Sequence, residues 1–231
     1  MEWQVMIDAT GRAGASNMAL DALLLEDAAR TGRATLRLYR WSPPCLSFGR
    51  NEPALARYDR AAIEHRGWDV VRRPTGGRAV WHEDEVTYAV AAPIAAFGSL
   101  HQSYCAIHER LAAALRTLGA PARLAPKNGR PAGLGVGACF ASPVGGEITV
   151  HDRKVVGSAQ VRLESAFLQH GSIPWRSDPS ILRPFATSSH APMSSKHAGV
   201  VSRFRPRRGS TAVAATPSRA NPRCSASAIV L

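Results

Sequence analysis

Four segments hold residues whose types and spacing suit chemistry. In Gly133 to Pro143, Cys139 stands among glycines and other small residues on a flexible stretch, so a substrate can approach its thiol. A neighbouring cation that lowers the thiol pKa makes such a cysteine a strong nucleophile; without one it is an inert small hydrophobe. In residues 151–160, a His151-Asp152 turn delivers Lys154 into a strand where Gly157, Ser158 and Ala159 leave room for a ligand to lie against the backbone. Lys154 is then either the cation that Cys139 needs or a hairpin lysine in water.

The segment Arg72 to His82, RRPTGGRAVWH, pairs Gly76 with Gly77. Two glycines let backbone N–H groups come close to a ligand, and Arg73, Arg78 and His82 supply donors for a carbonyl or carboxylate. The plain alternative is a Gly-Gly hairpin turn carrying exposed arginines. The spacing fits neither phosphate-loop pattern. In Gln169 to Pro174, His170 is either a base or a structural histidine with its bonds satisfied, and the structural role is favoured. The four cysteines, Cys45, Cys105, Cys139 and Cys224, form no CxxC pair, and no His/Cys/Asp/Glu cluster has ligand spacing. Reduced thiols and no metal or other cofactor are therefore expected.

The elements that must position these residues follow from pattern. Strands are predicted at Trp3–Asp8, Thr35–Trp41, Cys45–Phe48 and Trp68–Arg73. A helix is predicted from a Ser16 cap to Thr31, closed by Gly32, and another over Ala54–Arg66 opened by Pro53. The clearest helix is 100–118, where Tyr104, Ile107, Leu111, Leu115 and Leu118 recur on one face behind a Ser99/Gln102 capping box. Residues 121–138 read as a long loop, and 147–161 as a hairpin followed by a strand at 165–173. Clustered strands with three helices between them predict an α+β, or mixed α/β, sheet domain over residues 1–186.

The 231 residues carry a formal charge of +12, of which residues 187–231 contribute +7 without one acidic residue. That tail holds nine Ser, eight Ala and four Pro in 45 residues, so it cannot bury enough apolar surface to offset ordering, and disorder is predicted. A natural appendage and a shifted reading frame both fit it. No apolar run is long enough for a membrane span and no secretory signal opens the chain, which reads as soluble and cytoplasmic. Basic excess suits an acidic protein, nucleic acid or an anionic surface.

Taken together, the four segments resemble the biotin/lipoate protein ligase and octanoyltransferase superfamily over residues 3 to about 186. RRPTGGRAVWH fits its pattern RRxTGG[GR]AVxH, and DRKVVGSAQ at 152–160 fits its lysine motif. GACFASP at 137–143 is similar to the cysteine loop of LipM-type octanoyltransferases, and LQHGSIP at 168–174 resembles the transferase form. Glu147-Ile148 stands where the ATP-dependent ligases carry Asn-Asp. The resemblance implies a biotin/lipoate-ligase-like catalytic domain. It also implies octanoyl transfer from acyl carrier protein, through a Cys139 thioester, to a lysine of a lipoyl domain such as glycine cleavage H protein or a 2-oxoacid dehydrogenase E2. Lys154 would activate the thiol, while Arg73, Gly76, Gly77, Arg78, His82, Gly157, Ser158, Ala159 and His170 would contact substrate. Amidotransfer between lipoyl domains and ATP-dependent ligation remain open. So does an inactive acyl- or nucleic-acid-binding protein, ranked lower because no helix-turn-helix or aromatic stacking motif accompanies the basic tail.

Overall fold

The structure, a computed structural model, describes residues 2–53, 58–126 and 146–175. In chain order its elements begin with β1 (Trp3–Ile7), α1 (Gly14–Thr31), β2 (Ala34–Tyr39), β3 (Cys45–Phe48), α2 (Arg60–His65), β4 (Asp69–Arg72) and β5 (Val80–His82). Then come β6 (Glu85–Pro93), α3 (Leu100–Thr117), β7 (Ala122–Leu124), β8 (Ile148–Val150), β9 (Arg153–Lys154), β10 (Gly157–Leu163) and β11 (Ala166–Pro174). The predicted mixed class is what forms.

The main sheet runs β1-β2-β6-β11-β10, with β1 and β2 parallel and the other pairs antiparallel. On one face, Leu36, Tyr88, Val90 and Phe167 pack with Ile107 and Leu111 of α3. On the other, Ala89, Ala91 and Leu168 pack with Met18, Leu25 and Ala28 of α1. Because side chains alternate along a strand, covering both faces leaves β2 and β6 almost wholly buried. A second sheet, β4-β3-β5, packs Leu46 and Phe48 under Ile63 of α2, and a third is β7-β8-β9.

Local starts and stops differ from the pattern reading for identifiable reasons. Helix α1 begins at Gly14, and Ser16 is no cap: the Gly14 N–H donates 2.6 Å to Asp69 Oδ2, so a carboxylate from β4 serves the helix end. Helix α2 starts only at Arg60, where the Asp59 carboxylate accepts the Ala62 N–H; residues 54–57 of the longer predicted helix lie outside the described residues. Helix α3 keeps its Ser99 cap, but Leu118 falls beyond its last turn and is exposed. The predicted loop after it contains β7, which pairs with β8.

The 147–161 hairpin divides between two sheets. His151 and Asp152 take left-handed conformations, φ 49° and 59°, to turn β8 into β9. Val156 is then fully buried between sheets, and the chain crosses to the main sheet as β10. Among the described residues, no helix is long and apolar enough to cross a membrane.

Candidate functional site

A cleft opens beside β10 and β11 where the loop after β4 folds over the main sheet. The cleft unites three of the four segments singled out by sequence: Arg73, Gly76, Gly77 and His82 line it from one side, Gly157, Ser158 and Ala159 from another, and His170 from a third. Its lining is mostly apolar. Met18 of α1 and Tyr39 and Trp41 at the end of β2 complete the walls, and sequence reasoning missed all three. Met18 lies one turn from Asp21 on the buried face of α1, and that helical stripe was the signal available.

The glycine loop is held from below rather than left as an exposed hairpin turn. Strands β4 and β5 do not pair with each other; β3 lies between them. The Arg73 guanidinium donates to Ser47 O and Oγ, each 2.8 Å, and to the Gly76 and Arg78 carbonyls at 3.1 and 2.8 Å. Arg73 thus braces the loop with the group that would otherwise face a ligand. Arg78 contributes its carbonyl to this brace and does not line the cleft. Across the loop, a Cβ at Gly49 would lie 1.9 Å from the Gly77 carbonyl oxygen, so only glycine permits this approach.

Two carboxylate–imidazole–hydroxyl chains fix the loop to the sheet. His82 Nδ1 donates to Glu85 Oε1 at 2.8 Å and Nε2 faces Ser47 Oγ at 2.6 Å, while the ring stacks on Trp41 with centroids 4.1 Å apart. Thr87 and Ser172 also donate to Glu85. Burial pushes the Glu85 carboxyl up, but the His82 charge and these hydrogen bonds outweigh it and hold the group below the usual carboxylate range. In the second chain, His170 Nδ1 donates to Asp21 Oδ2 at 2.8 Å and Nε2 faces Thr75 Oγ1 at 2.7 Å. Asp21 also receives Arg37 and Tyr39, all three being buried. Ser47 and Thr75 are fully buried, so these chains position the loop and present no nucleophile. His170 is held by these two buried bonds while it lines the cleft.

Lys154 is not a lysine in water. Its side chain is 4% exposed and its Nζ donates to Glu147 Oε1 at 2.5 Å, across the turn joining β8 and β9. It does not line the cleft. Behind Ser158, His108 of α3 accepts at Nε2 from Ser158 Oγ (2.8 Å) and donates from Nδ1 to the Gly146 carbonyl (2.7 Å). The Tyr88 hydroxyl meets the same Ser158 Oγ at 2.7 Å.

Cys139, with residues 127–145, lies outside the described residues, as do Cys224 and the basic tail. Cys45 is fully buried, and burial, then the nearby Asp69 and Glu85 charges, push its thiol well up; it is an inert core residue. Cys105 is half-buried on α3. Among the described residues no thiol lines the cleft, and no group of three His, Cys, Asp or Glu could hold a metal ion.

Residues 13–206 match the family model of the lipoyl protein ligase A/B catalytic domain. The chain is 47% identical over 165 residues to octanoyltransferase LipM of Moorella thermoacetica, covering 68% of this chain and 60% of that protein. To octanoyltransferase LipM of Kyrpidia tusciae it is 43% identical over 188 residues, covering 78% and 68%. The chain thus spans roughly two thirds of the length of these relatives. Among solved structures, lipoate-protein ligase A bound with ATP superposes with a TM-score of 0.62 at 22% identity, over 81% of this chain and 72% of that one. A bipartite lipoate protein ligase from Thermoplasma acidophilum gives 0.57 at 21%, over 81% and 67%. At these identities the likeness concerns the fold.

Proposed function

The chain belongs to the lipoyl protein ligase A/B catalytic domain family, and on that premise we propose that it transfers an octanoyl group from acyl carrier protein to a lysine of a lipoyl domain. The observation that carries this reading is the cleft: an apolar space bounded by Gly76-Gly77, Gly157–Ala159 and His170 suits a saturated acyl chain. Its polar neighbours, Glu85, Asp21, Arg73 and both histidines, are already bonded within the protein. None competes for an alkyl group.

In the proposed reaction the Cys139 thiolate attacks the carrier thioester carbonyl, and the carrier thiolate leaves. The acyl group is then held as a Cys139 thioester. A neutral lysine amine of the acceptor attacks that thioester, the C–S bond to Cys139 breaks, and the proton the amine loses passes to the departing thiolate. Exchange of one thioester for another needs no ATP, and amide formation draws the sequence forward. The Lys154 cation would favour the thiolate and polarise the carbonyl. The LipM relatives support this reading by name and by identity. Acceptors would be glycine cleavage H protein or an E2 lipoyl domain, in the cytoplasm, with the basic excess of this chain steering acidic partners toward it.

The test is intact-protein mass spectrometry after incubation with octanoyl carrier protein and no ATP, for wild type, Cys139→Ala and Lys154→Ala. The reading expects a hydroxylamine-labile octanoyl adduct that is absent in Cys139→Ala and slow in Lys154→Ala. Transfer that requires ATP and survives Cys139→Ala would make the chain a ligase; no adduct on a folded wild type would overturn covalent transfer.

A further inference from the structure

The segment from Gly146 to Ser158 carries Glu147, the β8–β9 turn and Lys154, and one imidazole holds both of its ends. A carbonyl only accepts, so His108 Nδ1 donates to Gly146 O, 2.7 Å away. In the neutral ring Nε2 is then an acceptor, and the Ser158 hydroxyl donates to it at 2.8 Å. Ser158 Oγ keeps a lone pair for the Tyr88 hydroxyl, which in turn accepts from Gln169 Nε2 at 2.8 Å. We propose that His108 is a positioning residue of the acyl-transfer site, stapling the Lys154 segment to the strand that lines the cleft; this rests on the acyl-transfer reading above.

Charge supports the geometry. Burial, with the Lys154 charge acting against the Gly146 hydrogen bond, pushes His108 down to about 4. The groups facing it are the Lys154 ammonium, itself bonded to Glu147, the Tyr104 ring 4.0 Å away and, through Ser158, Tyr88. The imidazole therefore stays neutral through the physiological range, with its tautomer fixed and without adding a positive charge of its own near Lys154. A residue that only filled space in α3 would need none of this. The staple spans two sheets, since Gly146 leads into β8 and Ser158 belongs to β10.

The experiment uses the full chain with octanoyl carrier protein and a lipoyl-domain acceptor, comparing wild type, His108→Ala, His108→Asn and Ser158→Ala by kcat, KM and melting temperature. Displacing a reacting group by about 1 Å costs up to ~100-fold in rate. His108→Ala is expected to lower kcat at least about tenfold with the donor KM within about twofold. His108→Asn, which retains a donor for Gly146, should recover part of the loss. Ser158→Ala removes one hydroxyl only, so it remains informative if His108→Ala fails to fold, and it too should lower kcat. In the wild type, imidazole nitrogen NMR should find His108 as the neutral Nδ1–H tautomer between pH 5 and 8, about a unit or more above its pKa. Wild-type kcat in His108→Ala and Ser158→Ala, a rise in KM alone, or a protonated or Nε2–H imidazole at pH 7 would overturn the role while leaving the transferase reading intact. A folded wild type without transferase activity would overturn that reading and this role together.

Discussion

Thr75 and His170, 95 residues apart in sequence, are joined by a buried 2.7 Å hydrogen bond that fastens the glycine loop to the middle of the main sheet. Thr75→Val keeps the shape and deletes the hydroxyl, leaving His170 Nε2 buried without that partner. A cost of about 1–3 kcal/mol is expected, or about 2–4 °C in melting temperature for each kcal/mol. Donor KM should rise as well, because Gly76 and Gly77 lose their anchor. Thermal melts and steady-state kinetics on the same preparation check both.

Two glycine-to-alanine changes should separate packing from binding. At Gly171 a Cβ would lie 2.5 Å from Tyr88 Cε1 and 2.7 Å from Ser158 Oγ, so Gly171→Ala should destabilise by about 1–3 kcal/mol through overpacking. At Gly76 a Cβ meets nothing within 4 Å. Gly76→Ala should melt like the wild type yet bind the acyl donor more weakly, because its methyl enters the cleft.

Acid sensitivity follows from Glu85. Its folded pKa is depressed, so its stabilising contribution is fully present above the unfolded value of about 4.3 and is lost as pH falls through the lower folded value. Melting temperature should therefore drop on acidification below about pH 4.3. Glu85→Gln should be less stable at neutral pH and should flatten that part of the profile. An unchanged acid limb in Glu85→Gln would count against the assignment.

Cys45 should resist alkylation by iodoacetamide in the folded chain at pH 8 and react once the chain is unfolded, since burial keeps it a thiol. Cys45→Ala should leave octanoyl adduct formation in place. Peptide mapping of the alkylated cysteine checks the first expectation, and the adduct assay checks the second.

Much of the candidate site was legible because its motifs carry unusual residue types. Gly76-Gly77, Gly157–Ala159 and His170 declared themselves, and they do converge on one cleft. What stayed hidden depends on partners distant in sequence. Nothing local marks Asp69 as the cap of α1, 55 residues before it in the chain, and the alternation in β2 says nothing of Asp21 and Asp8 waiting for Arg37. Likewise, Arg73 reads as a ligand donor until Ser47 and two carbonyls are found to occupy it. His108 looked like one more polar residue on an amphipathic helix. Its significance comes from Gly146 and Ser158, which only the crossing of the chain from one sheet to another brings within reach.

The position of β11 has a consequence for biosynthesis. It sits between β6 and β10 in the sheet, yet it is the last of the described strands to leave the ribosome. Until residue 174 has emerged, β6 presents an unpaired edge and β10 has no partner strand among the described residues. A nascent chain that stalls earlier exposes a long strand edge to other chains, the condition under which sheets aggregate. Pairings this distant also form slowly. Truncations ending before Ala166 should therefore be insoluble, whereas the cleft forms only when His170, Gly171 and Ser172 arrive and slot into a sheet already waiting for them.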